Sequence, residues 1–241
     1  MQSIFKRREY KYLITREQGS ALQQLISQYM SIDQHGEYLV QNLYYDTADW
    51  DIIRKSIEKP LYKEKLRLRF YDHYTPKSQG FLELKKKFDG VVYKRRIAFP
   101  LGEFKSRSVG EIASANDSQI SREIDFYLRQ NQVSEKIYIA YKRITYTGIA
   151  DKNFRITFDR DIFFRLNPLN TFDNYDPGID HPILDQDRIV MEIKITGAMS
   201  LWLAQTFSEN NIFPLSFSKF GVCYTKHISK WQNIGGIKNA A

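Results

Sequence analysis

Between Lys63 and Phe99 the chain alternates charged and apolar residues three times over, and no other feature restricts its fold so tightly. Lys65, Arg67 and Arg69 interleave with Leu66, Leu68 and Phe70; Glu83, Lys85 and Lys87 with Leu82 and Leu84; Lys94 and Arg96 with Tyr93 and Ile97. In a strand, side chains i and i+2 share a face, so each of these segments predicts a β-strand with one apolar and one cationic face. Asp89-Gly90 between the second and third is a strong hairpin signal, which makes the pairing antiparallel. The pattern recurs with Arg7, Glu9 and Lys11 against Tyr10 and Tyr12, with Arg155, Thr157 and Asp159 against Phe154, Ile156 and Phe158, and with Glu192 and Lys194 against Met191, Ile193 and Ile195.

Eight strands follow: Phe5–Ile14, Gln41–Asp46, Lys63–Phe70, Phe81–Phe88, Val92–Phe99, Lys136–Thr147, Asn153–Arg160 and Arg188–Thr196. Thr15 and Gln18 form a capping box that opens a helix, with Ala21, Leu22, Leu25, Ile26 and Tyr29 at helical spacing. A short helix runs through Ile53, two lie between Leu101 and Asn131, the second with Ile120, Ile124, Tyr127 and Leu128 on one side, and two close the chain, Leu201 to Phe207 and Lys219 to His227. The Asn167–Asp187 loop is too long for a simple connection and is read as functional or mobile. No linker or repeat divides the chain, so residues 1–241 are read as one α+β domain built on an antiparallel eight-stranded sheet.

With 42% hydrophobic residues the core is ample. No stretch approaches the roughly 18 apolar residues of a membrane span, and the start lacks the apolar run of a signal peptide, so a cytoplasmic protein is expected. The single cysteine, Cys223, lies beside Val222 and Tyr224 and is read as a core residue. The four histidines, His35, His73, His181 and His227, lie outside the basic strands and are read as surface or packing residues.

The charge is local. Arg54–Arg96 holds 14 lysines and arginines against 5 acids, a net +9 that exceeds the +8 of the whole chain. Like charges on neighbouring strands repel by a few tenths to about 1 kcal/mol each, which makes sense if a polyanion sits between them. With helices available to cover the apolar face, the charged face would look inward, and a sheet curled into a barrel would enclose a basic channel suited to phosphates. Glu9, Glu83 and Glu192 each precede a lysine by two residues. Such a pair is either an ion pair within the sheet or a site for Mg²⁺ or Mn²⁺, which take one or two carboxylates plus water and phosphate oxygens; Glu192 is the first choice of ligand. Walker A and kinase glycine-rich loops are absent, so side chains must bind the phosphates.

Asn42-Leu-Tyr-Tyr-Asp-Thr47, Lys65-Leu-Arg-Leu-Arg69, Phe81-Leu-Glu-Leu-Lys-Lys-Lys87, Val92-Tyr-Lys-Arg-Arg96, Tyr141-Lys-Arg143, Val190-Met-Glu-Ile-Lys194 and Ser218-Lys-Phe220 together resemble the VTC domain. This is the catalytic domain of the vacuolar transporter chaperone polyphosphate polymerases, within the triphosphate tunnel metalloenzymes, a CYTH-like superfamily. The resemblance runs from about Phe5 to His227. It implies an eight-stranded tunnel with a basic lumen, flanked by helices, and transfer of the ATP γ-phosphate to a growing polyphosphate chain with Mn²⁺ or Mg²⁺. Carried over, Lys11, Arg67, Arg69, Lys85, Lys94, Arg143, Arg155, Lys194 and Lys219 would act on the phosphates. Lys65, Lys87, Arg96, Ser218 and Tyr44 would complete the substrate contacts, with Ser218 and Lys219 closing one tunnel end, and Glu192, with Glu83 and Glu9, would hold the metal.

Two positions depart from the family pattern. Arg7 stands where the superfamily's Glu-x-Glu-x-Lys has its first glutamate, which argues against a two-metal hydrolase, and the closing Lys-x-Ser-Lys reads Ser216-Phe-Ser218-Lys219. The partners implied are ATP and polyphosphate, with a separate membrane protein allowed at the inner face of a membrane. A tunnel hydrolase and a non-catalytic polyphosphate or nucleotide sensor are the rivals. Nucleic acid is set aside because most aromatic residues alternate onto the apolar face.

Overall fold

The computed structural model describes residues 7–89, 91–115, 117–166 and 179–230. Nine strands form an antiparallel sheet: β1 (Arg7–Thr15), β2 (Met30–Asp46), β3 (Tyr62–Tyr71), β4 (Gln79–Phe88), β5 (Val91–Pro100), β6 (Ser134–Gly148), β7 (Arg155–Arg165), β8 (His181–Pro182) and β9 (Arg188–Thr196). Their order is β1-β9-β7-β6-β2-β3-β4-β5, with β8 paired to β7. The helices are α1 (Arg16–Ile26), α2 (Asp51–Ile57), α3 (Val109–Ser114), α4 (Gln119–Asn131), α5 (Leu201–Glu209) and α6 (Lys219–Cys223), the last continued by a π-helical turn over Tyr224–Ile228. The α+β class and the antiparallel sheet expected from the alternation are both present.

The chain splits into two compact units. The first comprises Met1–Tyr38, Tyr141–Ile162 and Leu184–Ser218. In it β1 pairs with β9 from Arg7 opposite Thr196 to Thr15 opposite Arg188, and β7 pairs with β9 from Arg155 opposite Lys194 to Asp159 opposite Val190. Tyr12, Ile14, Ile156, Phe158, Met191 and Ile193 face one way and are covered by Leu22 and Ile26 of α1 and Leu203 and Phe207 of α5. Each such side chain contributes roughly 1.5–3 kcal/mol on burial. The Thr15 hydroxyl accepts from the Gln18 amide while the Gln18 side chain accepts from the Thr15 amide, so the expected capping box starts α1. Between β6 and β7 the turn is closed by the Gly148 amide donating to the Phe154 carbonyl. A Cβ at Gly148 would lie 2.5 Å from the Asp151 carbonyl oxygen, so only glycine fits there.

The second unit comprises Leu39–Ala140, Phe163–Ile183 and Lys219–Ala241. Here β2, β3, β4 and β5 pair in succession. Leu43, Leu66, Leu68, Phe70, Leu82, Leu84 and Ile97 pack with Ile112 and Ala113 of α3 and Ile124 and Tyr127 of α4. Ile120 and Leu128 pack against the same core, as their helical spacing predicts. At the outer end of this face, apolar packing gives way to ions: Glu123 of α4 reaches Lys86 at 3.5 Å and Arg95 at 3.3 Å. Tyr93, expected on the core side, is consequently 49% exposed.

Two further elements differ from expectation. β2 begins at Met30 rather than near Gln41, because Ser31–Tyr38 is a largely exposed arm where neither face needs apolar residues. The long loop carries the short strand β8; its residues 167–178 lie outside the described residues, as do Phe5 of the first predicted strand and Gly90 of the hairpin.

Candidate phosphate-binding face and metal carboxylate

Register turns the alternation of β3, β4 and β5 into rows on one face. Lys63 stands beside Lys87, then Lys65, Lys85 and Lys94 form a row, then Arg67, Glu83 and Arg96, and then Arg69 stands beside Phe81. Glu83 is the one acid in these rows, and its side chain is 1% exposed. The Arg67 guanidinium donates to Glu83 Oε2 from Nε at 2.9 Å and Nη2 at 2.8 Å. On the other oxygen, Lys94 Nζ lies at 2.5 Å and Arg96 Nη1 at 3.9 Å, while Arg69 Nε stands 4.0 Å from Oε2. Burial alone would raise the pKa of this carboxyl, but Arg67, Arg69 and Lys94 bring it down to about 2, from an ordinary 4.5. Burial in turn lowers the Lys94 ammonium, which Glu83 partly restores. Neutral solution therefore finds a buried anion under a set of cations.

Residues of β2 hold those cations in place. The Tyr44 hydroxyl accepts from Arg67 Nη1 at 3.2 Å, and Asn42 Oδ1 accepts from Arg69 Nε at 2.8 Å while its own amide donates to the Ile139 carbonyl at 3.1 Å. Tyr44 stacks obliquely on Phe220, ring centroids 4.9 Å apart, and Lys65 Nζ lies 5.8 Å from the Phe220 ring. The Ser218-Lys-Phe220 motif thus brings α6 to the polar face of the second unit through Phe220; Lys219 is half-buried at the start of that helix and Ser218 is exposed.

The first unit contains a second carboxylate cluster. Glu192 faces Lys11 in register, and Lys11 Nζ lies 3.7 Å from it, 3.3 Å from Glu9, and donates to the Phe217 carbonyl at 3.1 Å. Lys194 pairs with the other Glu192 oxygen. Burial would raise Glu192, yet Lys194, Lys11 and Arg143 lower it to about 2. Arg143 is itself tied by two hydrogen bonds, 2.6 and 2.7 Å, to Asp159, which is fully buried. Arg155 stands opposite Lys194 and is exposed. The structure therefore groups Lys11, Lys194, Glu9 and Glu192 in one unit and Tyr44, Lys65, Arg67, Arg69, Lys85, Lys87, Lys94, Arg96 and Glu83 in the other.

A divalent ion fits one of these places better than the other. Among the described residues no group of three or more His, Cys, Asp or Glu side chains could hold a metal, so any ion needs phosphate or water oxygens as well. Glu192 is ionised, with Lys11 and Lys194 against its oxygens and Arg143 acting on it from farther off, and Thr157 opposite it has a buried Oγ1 with no hydrogen-bond partner among the described residues. That orphaned hydroxyl suits a metal-bound water. Both oxygens of each carboxylate face cations, but at Glu83 one of them is closed by an arginine fork, whereas at Glu192 both meet lysine ammonium groups.

Alternation places Thr157 and Asp159 on the polar face of their strand without giving either a role, and Asn42 enters the sequence reading only as part of a motif. Asp159 shares a strand face with Arg155, which was the available signal; its partner Arg143 is a long-range neighbour that one sequence does not show. Cys223 is fully buried and its thiol pKa is pushed up by burial, so it stays a core residue. His181 and His227 pack against Phe164, centroids 5.3 and 5.0 Å away.

These elements define an α+β protein whose antiparallel sheet turns a cationic face away from helices α3 and α4. The chain belongs to the VTC domain family, which matches residues 6–228 and so runs through both units. No curated protein matches it in sequence. Among solved structures, a putative adenylyl cyclase from Hippeastrum, described as having a dominant triphosphatase activity, is 18% identical with a TM-score of 0.53 over 90% of this chain and 95% of that one. A Pyrococcus horikoshii protein is 12% identical (TM-score 0.48; 91% and 100% covered), and a putative adenylate cyclase from Vibrio parahaemolyticus is 13% identical (TM-score 0.47; 92% and 98% covered). The first of these likenesses shows a shared fold. No helix among the described residues is long and apolar enough to cross a membrane.

Proposed function

We propose that this protein binds triphosphate and polyphosphate on the cationic face of its sheet and transfers the γ-phosphate of ATP to a polyphosphate chain. The observation that carries this reading is the row structure of β3–β5, where Arg67, Arg69, Lys94 and Arg96 surround one buried carboxylate. Planar guanidinium forks match phosphate oxygens in pairs and ammonium groups act as mobile point charges, so the mixture suits a ligand with repeating negative charge. Membership of the VTC domain family supports a phosphate-polymer substrate and the polymerase chemistry that the motifs imply.

In this reading the cationic rows hold the phosphates, align the terminal oxygen of the acceptor chain with the γ-phosphorus, and stabilise the charge on the transferred group; phosphoryl transfer needs little else from a protein. Glu192 would hold Mg²⁺ or Mn²⁺, with Thr157 orienting a water. A bound divalent ion supplies charge neutralisation of phosphate oxygens.

A second reading is hydrolysis, favoured by the triphosphatase activity in the description of the Hippeastrum protein. The same face would bind the substrate and water would replace the acceptor. Purified protein incubated with Mn²⁺ and either ATP or tripolyphosphate separates the two. Polyphosphate on a gel with stoichiometric ADP supports the polymerase, phosphate release from tripolyphosphate without polymer supports the hydrolase, and neither product under any metal removes both.

A further inference from the structure

Glu83 poses a problem that the proposed function does not solve. A polyanion site gains nothing in net charge from a carboxylate among its cations, and burying an ionised carboxylate costs several kcal/mol before its partners compensate it. An apolar residue of similar size there would often be neutral or stabilising. Yet Glu83 stands mid-strand on the cationic face, 1% exposed, while the side chains of Arg67, Lys94 and Arg96 remain 22%, 46% and 46% exposed.

The contacts show what the carboxylate does. From β3 the Arg67 guanidinium presents two of its nitrogens to one oxygen, and from β5 the Lys94 ammonium reaches the other. Register puts Arg67 and Arg96 on opposite sides of Glu83, so the anion lies beneath the middle of the group. The Tyr44 hydroxyl and the Asn42 amide hold Arg67 and Arg69 from the β2 side. Without the central anion, cations on three adjacent strands would repel one another and splay, and ligand binding would have to gather them again. Rigid donors lose less conformational entropy on binding than mobile ones, about 0.5–1.5 kcal/mol per immobilised side chain.

Resting on the triphosphate-binding reading above, we infer that Glu83 is a positioning residue: a built-in counter-anion that holds Arg67, Lys94 and Arg96 as a preformed cradle for a phosphate group, rather than a metal ligand. It touches neither substrate nor metal; it acts through the cations that do. The sign of its effect is distinctive, because removing a negative charge from an anion site should strengthen binding on charge count alone, whereas removing a positioning group should weaken it.

The test is calorimetric titration with inorganic tripolyphosphate, in EDTA and again with Mn²⁺, on wild type, Glu83→Gln and Glu83→Asp, each checked for folding by circular dichroism. The wild type binds. Glu83→Gln binds about tenfold or more weakly despite the added net positive charge, and Glu83→Asp, which keeps the charge but withdraws it by one methylene, recovers part of the loss. Equal or tighter binding by Glu83→Gln overturns the inference, as does a loss that appears only when metal is added. Should Glu83→Gln not fold, Glu83→Asp decides alone: weaker binding supports positioning, and wild-type affinity overturns it. Failure of the wild type to bind tripolyphosphate at all instead removes the functional reading on which the inference rests.

Discussion

Glu83 and Glu192 are two carboxylates both held well below the ordinary carboxylate range, by different means. Glu83 is gripped by an arginine fork and an ammonium and is 1% exposed; Glu192 is reached by two lysines and is 13% exposed. Near Glu192 the arginine is turned elsewhere, because Arg143 is bonded twice to buried Asp159. A guanidinium fork fixes geometry, whereas lysine ammonium groups are point charges on flexible stems that can yield to a divalent ion. Each cluster thus centres on a strongly acidic carboxylate but differs in the cations around it, which is why we propose the first as a preformed phosphate cradle and the second as an exchangeable cation site.

The contrast can be broken at several points. The largest effect is expected at Asp159→Ala, which leaves the half-buried Arg143 without the carboxylate that accepts its two hydrogen bonds and should cost about 3–5 kcal/mol in denaturant unfolding. A cost under 1 kcal/mol would mean that the pair holds nothing rigid. Acid comes next. Because the native carboxyl of Glu83 is lowered from 4.5 to about 2, its contribution is fully present above pH 4.5 and is lost as pH falls toward 2. That loss is on the order of 3 kcal/mol, and Glu83→Gln should flatten the stability curve in that window.

Glu192→Gln should reduce metal-dependent turnover by about a hundredfold while leaving metal-free tripolyphosphate binding within a few fold. Equal losses in both assays would erase the distinction between the clusters. The smallest effects separate two cations that share a strand pattern. Arg67→Ala should destabilise by about 1–3 kcal/mol, since buried Glu83 loses its fork, whereas Lys85→Ala, exposed in its row, should stay within about 0.5 kcal/mol by thermal unfolding.

Most of the sheet was legible because a half-buried strand must alternate. Arg188–Thr196 is found with its expected bounds, and β3, β4 and β5 extend one or two residues beyond theirs. The exposed arm of β2 was not legible, because a strand with solvent on both sides carries no hydrophobic period. In the candidate site the cations were legible as a shared face, but alternation treats Arg67 and Lys85 as equals. Only register reveals that Glu83 lies between Arg67 and Arg96, and only the pairing of distant segments joins Arg143 to Asp159. The Glu-x-Lys spacing left Glu83 open as an ion-pair partner or a metal ligand; the ion pairs with Arg67 and Lys94 are present, and the positioning role is our proposal.

The central claim is that phosphate oxygens bind on the cationic face of β3–β5. The most direct measurement is a two-dimensional NMR titration of arginine Nε–H and lysine Nζ signals with tripolyphosphate in EDTA. The account predicts saturable shifts concentrated at Arg67, Arg69, Lys94 and Arg96. Shifts spread evenly over surface cations such as Arg122 and Arg129, or no saturation, would contradict it.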